Sequence, residues 1–328
     1  VEFSKKEHSV SHFFLFLNWK QLSEPMRRIP YFLVDVFTRS HFGGNQLAVI
    51  PHGHMVREDE MPQIAKEFNL SETTFIFPAS HERHNAAVRI FTPGSELPFA
   101  GHPTLGTAFV IARETDYRPE DKILTVWLEE KVGPIRVDID IQNGAPEMLV
   151  MSQPLPTFGK EFEDRKILAE LLSLEEKDLL PNYPAQTVSC GVPYLLIPLK
   201  TKNAVKNVKF RVDIAEKMRE ALNPGAAFVF AMDGDDVGSH VHGRMFAPEL
   251  GITEDPATGS AAGPLGSYLV EHKLRFTGET TEIVAEQGYE MGRPSKLFIE
   301  IEKKENTITQ VKVGGYCMFM GQGQLFLP

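Results

Sequence analysis

Glu72, His102 and Asp255 carry the proton chemistry that this sequence offers. Glu72 lies in NLSETTFIF (69–77), just ahead of a strongly apolar run and on the Leu70/Thr74/Ile76 alternation. A carboxylate placed there is partly stripped of water. That raises its pKa and suits a group that must take and return a proton near neutral pH. From residue type and position alone, the commoner reading is a surface glutamate at a helix–strand junction. His102 follows Gly101 at a helix start, where the positive end of the helix dipole disfavours imidazolium. The neutral ring can donate to or accept from a substrate heteroatom, or simply cap the helix. Asp255, in Glu254-Asp255-Pro256, could polarise a substrate hydroxyl or amine; it also serves as an ordinary cap together with Thr258.

Two segments that resemble each other carry these residues: LPFAGHPTLGTAFVIA (97–112) and EDPATGSAAGPLGSYLV (254–270). Aligned on Gly101 and Gly259, each has glycine, a polar side chain (His102, Ser260), small residues and an apolar run. A helix start with free N–H groups and no Cβ in the way is an anion cradle, so Gly101, Gly259 and Ser260 are candidates for binding a carboxylate. The small residues Gly106, Thr107 and Ala108 in one helix, and Ala261, Ala262, Gly263 and Gly266 in the other, would let neighbouring backbone approach closely. Such a helix fits the inside of a curled sheet, and it fits plain helix-on-sheet packing as well.

The elements that must position these groups come in two cycles. YFLVDVF (31–37) and NQLAVIP (45–51) read as strands, Glu58–Asn69 as an amphipathic helix, TTFIFPA and AAVRIFT as strands, then the first glycine-started helix, then a three-strand meander turning at Gly133 and Asn143-Gly144. The second cycle has a helix at Lys166–Leu172, VSCGVPYLLIPL broken at Gly191 and Pro193, a helix at Val212–Leu222, two strands, the second glycine-started helix and four closing strands. The order predicts a duplicated α+β chain. Residues 26–150 form one domain and 151–328 the other, with the boundary near the prolines of MSQPLPTF and the last strand as the candidate to return to the first domain. Residues 1–25 are expected to be an extension outside the fold.

Composition removes several classes of function. The 328 residues are 42% apolar and 24% charged, with a net charge of −10. An acidic chain argues against nucleic acid or an anionic membrane as partner. No apolar stretch approaches the roughly 20 residues of a membrane span. Cys190 and Cys317 have no zinc or disulfide spacing and read as free thiols in a reducing compartment, which places the chain in the cytoplasm. His240 and His242 share a face of a strand, but no third ligand lies nearby and no metal is assigned.

The segments FGGNQLAVI, LSETTFI, FTPGSELPFAGHPTLGTA, RMFAPELGITEDPATGSAAGPLGSYL, EQGYEMGRPS and VGGYCMFMGQGQL, in this order from about Tyr31 to the C-terminus, resemble the PhzF-like phenazine-biosynthesis proteins. The resemblance implies a diaminopimelate epimerase-like fold: two similar domains, each a sheet curled around a central helix, with the site in the cleft between them. It implies a cofactor-free isomerase of trans-2,3-dihydro-3-hydroxyanthranilate in which Glu72 moves a proton between carbons on one face. His102 and Asp255 would hold the hydroxyl and amine, and Asn45, Ser71, Gly101, Gly259 and Ser260 would bind the substrate. It also suggests a homodimer. In the epimerase relatives a cysteine stands at each helix start; here Ala100 and the Asp255–Thr258 turn stand there, which turns the reading from two-base racemisation to a proton shift. Gln46 replaces the usual proline of that segment. Two other readings share the fold: a small-acid binding or interaction module without catalysis, and a hydrolase or lyase using the same carboxylate.

Overall fold

The computed structural model describes residues 26–115, 122–218 and 226–328; the expected extension at 1–25 lies outside the described residues. The first cycle runs β1 (Arg27–Val36), β2 (Asn45–Ile50), α1 (Met61–Phe68), β3 (Glu72–Phe77), β4 (Ala86–Phe91), β5 (Glu96–Leu97), α2 (Gly101–Arg113), β6 (Ile123–Glu130), β7 (Gly133–Gln142) and β8 (Ala145–Gln153). The second runs β9 (Thr157–Phe162), α3 (Arg165–Leu172), β10 (Ala185–Ser189), β11 (Pro193–Pro198), α4 (Lys202–Asn207), α5 (Val212–Lys217), β12 (Ala227–Ala231), β13 (Val241–Ala247), β14 (Ile252–Asp255), α6 (Gly259–Glu271), β15 (Thr280–Gln287), β16 (Ser295–Lys304) and β17 (Thr307–Leu327).

The strand pairings repeat. In the first cycle β1–β2 is antiparallel, β2–β3 parallel, β3–β4 antiparallel and β4–β6 parallel, followed by the antiparallel β6–β7–β8 meander. The second gives β10–β11, β11–β12, β12–β13, β13–β15 and β15–β16–β17 with the same senses. Parallel neighbours need a crossover, and in both cycles the second crossover contains the glycine-started helix. β9 covers the free edge of β10. The edge of β1 is covered by β17 instead, whose residues 311–316 also pair with β8. One strand of 21 residues therefore closes the first ring and joins it to the second.

Helices α2 and α6 are the central helices of two curled-sheet domains. Only Ile111 and Arg113 of α2, and only Glu271 of α6, are not buried. A helix apolar all round needs such an interior place. Its small residues make the fit possible: a Cβ on Gly106 would stand 2.5 Å from Leu47 Cδ2, and one on Gly266 would stand 2.6 Å from Ile299 Cγ2. The choice between curled sheet and flat packing is thus decided for the curled sheet.

Several expectations shift in detail. The helix expected at Glu58–Asn69 is shorter, Met61–Phe68, because Asn69 takes a left-handed backbone (φ 50°) and ends it. Of the helix expected at Val212–Leu222, Val212–Lys217 is described, and 219–222 lie outside the described residues. The closing segments ITQVKVGGY and CMFMGQGQLFL are one strand, not two, since Gly314 and Gly315 keep their ladder partners Val150 and Leu149. Among the described residues no helix is long and apolar enough to cross a membrane.

Candidate active site

Asn45 opens β2 and Glu72 opens the adjacent parallel strand β3, so both project from the same end of the first sheet, with Ser71 one residue earlier. Asp255 ends β14 and Ser260 lies in the first turn of α6. The two helix starts touch. A Cβ on Gly101 would lie 2.3 Å from both Gly259 C and Ser260 N, and these are backbone atoms that cannot swing away. Bare glycine thus lets two sets of unpaired helix N–H groups converge. Gly101→Ala is expected to destabilise the fold by about 1–3 kcal/mol despite alanine's better helix propensity. Urea unfolding checks this, with Gly321→Ala, which meets nothing within 4 Å, as the control expected to be neutral.

The structure brings Glu72, Gly101, His102, Asp255, Gly259 and Ser260 to one enclosed cavity, with Leu97, Phe99, Val192, Met245, Leu250 and Ile252 as its apolar wall. Among the described residues no lysine or arginine lines it. It encloses about 20 Å³, room for roughly one water.

Asn45 and Ser71 stand behind this cavity as anchors for Asp255. Asp255 Oδ1 accepts from Asn45 Nδ2 at 2.8 Å and from Ser71 Oγ at 2.7 Å, and Oδ2 accepts from Thr258 Oγ1 at 2.6 Å. Neighbouring Glu254 faces the other way and takes a bidentate pair from Arg244 at 2.7 and 2.9 Å, which fixes the strand carrying Asp255. The Asn45 amide has two hydrogens and three acceptors in reach: Asp255 Oδ1, Ala257 O at 2.9 Å and His102 Nδ1 at 3.0 Å.

Glu72 Oε2 and His102 Nε2 lie 3.4 Å apart, and each is a buried atom without a hydrogen-bond partner. Buried polar atoms are rarely left so. Burial, and then the charge of Asp255, push the Glu72 carboxyl well above the ordinary carboxylate range. Burial pulls His102 down to about 3 against the opposing Gln46 carbonyl, so the imidazole is neutral. Asp255 is also raised by burial, with its three donors opposing.

Sequence reasoning passed over Tyr194. Its hydroxyl is 2.7 Å from Ser260 Oγ and lines the cavity from β11, in a GVPY segment that reads as ordinary core. It also passed over Gln287, which binds the Asp255 carbonyl and Thr258 Oγ1 and holds the turn between them. His242 of β13 and His240, just ahead of that strand, do not line the cavity. Both ring nitrogens of His242 are taken, by Glu286 and Glu290 at 2.8 Å each, and His240 Nδ1 accepts from Val284 N–H at 2.9 Å. Cys190 and Cys317 are buried with thiols pushed up by burial, Cys190 to about 12, and neither lines the cavity.

Comparison with known proteins bears on the fold and the family. An uncharacterized isomerase of Clostridium acetobutylicum is 34% identical over 305 residues, covering 92% of this chain and 99% of its own. The trans-2,3-dihydro-3-hydroxyanthranilate isomerase of Pseudomonas chlororaphis is 33% identical, covering 90% and 99%. The crystal structure of a PhzF-family phenazine biosynthesis protein from Bacillus anthracis superposes with a TM-score of 0.81 at 26% identity, covering 92% and 99%. The fold is that of an epimerase-like isomerase, and the isomerase relatives imply a small-molecule substrate. Residues 34–323 match the phenazine biosynthesis-like proteins, and the chain belongs to that family.

Proposed function

We propose that this protein is a cofactor-independent isomerase that shifts a proton along a small cyclic or unsaturated amino or hydroxy acid, with Glu72 as its single acid–base group. The observation that carries this reading is the unpartnered pair Glu72 Oε2 and His102 Nε2, 3.4 Å apart in a closed cavity that also contains both helix starts. In the open cleft water solvates and ionises Glu72. Closure strips that water, raises its proton affinity and makes it a base matched to a carbon acid. The carboxylate takes a proton from one ring carbon, the π electrons move along the conjugated system, and the resulting carboxylic acid returns the proton to another carbon on the same face. Neutral His102 and Asp255 hold the substrate's heteroatoms. N–H groups of Gly101, Gly259 and Ser260 bind its carboxylate, with Asn45 and Ser71 keeping Asp255 aimed.

The model substrate is trans-2,3-dihydro-3-hydroxyanthranilate, the compound in the name of the Pseudomonas chlororaphis relative. Incubation in D2O is expected to give isomerised product with at most one solvent deuterium at the receiving carbon. Unchanged substrate would remove this substrate from the proposal; calorimetric binding without turnover would favour the binding-module reading. We further propose a cytoplasmic homodimer of two-domain subunits divided at 26–150 and 151–328, on the strength of the family resemblance and the repeated strand order; sedimentation and limited proteolysis test its state and its division.

Tyr194→Phe leaves Ser260 Oγ without its 2.7 Å partner. A neutral hydrogen bond contributes about 0.5–1.5 kcal/mol, so KM is expected to rise by about 2- to 12-fold. Because the hydrogen bond that is lost goes to Ser260, at the proposed carboxylate-binding end, kcat should stay within about twofold. Steady-state kinetics separate the two effects.

A further inference from the structure

Glu130 ends β6 and is buried behind the first turn of α2; neither it nor its partner Thr104 lines the cavity. Thr104 Oγ1 stands 2.5 Å from two acceptors, the Ala100 carbonyl and Glu130 Oε1. A hydroxyl has one hydrogen and two lone pairs. It can donate to one of these oxygens only, and the other contact is attractive only if the hydrogen comes from the carboxyl side. The backbone carbonyl has none to give, so the hydrogen that the second contact needs would come from Glu130. An ionised Glu130 would leave one of these two contacts with no hydrogen between its oxygens, and a buried charge without a counter-ion among the described residues. Lys131, next in the chain, is held outward by Glu96 at 2.8 Å, and His102 on the facing helix is neutral. Burial pushes Glu130 up to about 8, against the hydrogen bonds of Thr104 and the Ala100 N–H.

We propose that Glu130 is a positioning residue of the active site: a neutral carboxylic acid that donates to Thr104 Oγ1, which then donates to the Ala100 carbonyl. This chain of two hydrogen bonds fixes the residue that caps α2 against the helix's first turn. Gly101 and His102 stand between the two anchored points, so the direction of their N–H groups and of the imidazole depends on it. A carboxamide can make the same donation; an aliphatic side chain cannot.

The test uses the whole chain and no substrate, so it stands or falls apart from the proposed reaction. In isotope-edited infrared spectra at pH 7, with 13C-labelled glutamate side chains, a protonated-carboxyl band is expected to disappear in Glu130→Gln; the band of Glu72 is assigned separately through Glu72→Gln. In 1H–15N spectra the Gly101 and His102 amides should keep their positions in Glu130→Gln and move in Glu130→Leu. Thr104→Val, which also covers the case of a Glu130→Leu that does not fold, should move the same amides and shift the Glu130 carbonyl band. The proposal is overturned if Glu130→Gln removes no carboxyl band, if it displaces the two amides as far as Glu130→Leu does, or if Thr104→Val leaves both readouts unchanged.

Discussion

Replacing Glu72 with glutamine is expected to lower kcat by about 10²- to 10⁴-fold, the range over which a positioned acid–base group accelerates proton transfer. Glutamine has the shape of the neutral acid but cannot take a proton from carbon. Its amide still fills the position 3.4 Å from His102 Nε2, so the cavity and its ligand contacts are retained. Stability separates this loss from misfolding. Because burial raises Glu72 well above its ordinary value of 4.5, the folded state keeps a proton that the unfolded chain releases above that pH. Folding stability from this group therefore falls as pH rises above 4.5, and at neutral pH Glu72 costs the fold free energy. Glu72→Gln removes that cost, so its Tm at neutral pH should equal or exceed wild type. In the wild type kcat should climb with pH through the raised pKa of Glu72, and that climb should be missing in any residual activity of the variant. A variant that turns over the same substrate within tenfold of wild type would remove Glu72 from the acid–base role.

Activity and stability then pull in opposite directions at one residue, as expected where a functional group is held in a costly environment. The same holds for His102, whose unpartnered Nε2 is buried beside it. Two buried polar atoms 3.4 Å apart, each without a hydrogen-bond partner, call for a group that supplies what each lacks, and a bound water or a ligand atom would do so.

Much of this site can be read in the chain because its parts are local. Gly101-His102 and Gly259-Ser260 announce helix starts by residue type, and the run of small residues after each marks a helix that other backbone must approach. Both properties depend on neighbours a few residues apart. Glu72 is legible for the same reason: a lone carboxylate on an otherwise apolar strand. What stayed hidden depends on distant pairings. Asn45 and Asp255 are 210 positions apart and share a hydrogen bond that nothing in either segment signals; Asn45 and Ser71 were named only through the family's motifs. Tyr194 looks like any half-apolar strand residue until β11 is laid against the start of α6. That β17 is one continuous strand escaped because Gly314-Gly315 reads as a break, whereas across these residues β17 leaves β16, whose pairing ends at Gly314, for β1, whose pairing begins at Cys317, with β8 alongside Val311–Tyr316. β9 escaped because its six residues are exposed or half-exposed and carry no apolar alternation.

Away from the cleft, His242 presents the second large effect. Its two ring nitrogens donate to Glu286 Oε1 and Glu290 Oε1 at 2.8 Å each, and Glu286 also takes the backbone N–H groups of Asp235 and Asp236. Lys202 and Lys206 hold Asp235 at 2.7 and 2.8 Å. Three cations face three carboxylates here, and His242 and Glu286 are fully buried. Asp235, His242 and Glu286 have the composition of a metal site, yet with both ring nitrogens taken and the charges already balanced, the arrangement works as an ion network that ties β13 to β15. His242→Ala leaves two carboxylates without their central cation, and removing one partner of a buried pair costs about 3–5 kcal/mol. Burial alone would lower the imidazole; Glu286 and Glu290 outweigh it and raise His242 to about 9 from 6.5. A base raised on folding contributes stability that is complete below 6.5 and is lost as pH rises through about 9. Glu286 and Glu290, pushed up by burial but lowered overall by their hydrogen bonds, contribute in the opposite sense, above 4.5, and lose it in acid. The network is therefore strongest between these limits. Urea unfolding of the wild type should show stability declining from pH 6.5 to 9, and His242→Ala should be weaker at pH 6.5 and show a flatter decline. Equal stability of the two proteins at pH 6.5, or parallel alkaline slopes, would mean that the imidazole is not charged in the folded chain and that this cluster holds the sheet by packing alone.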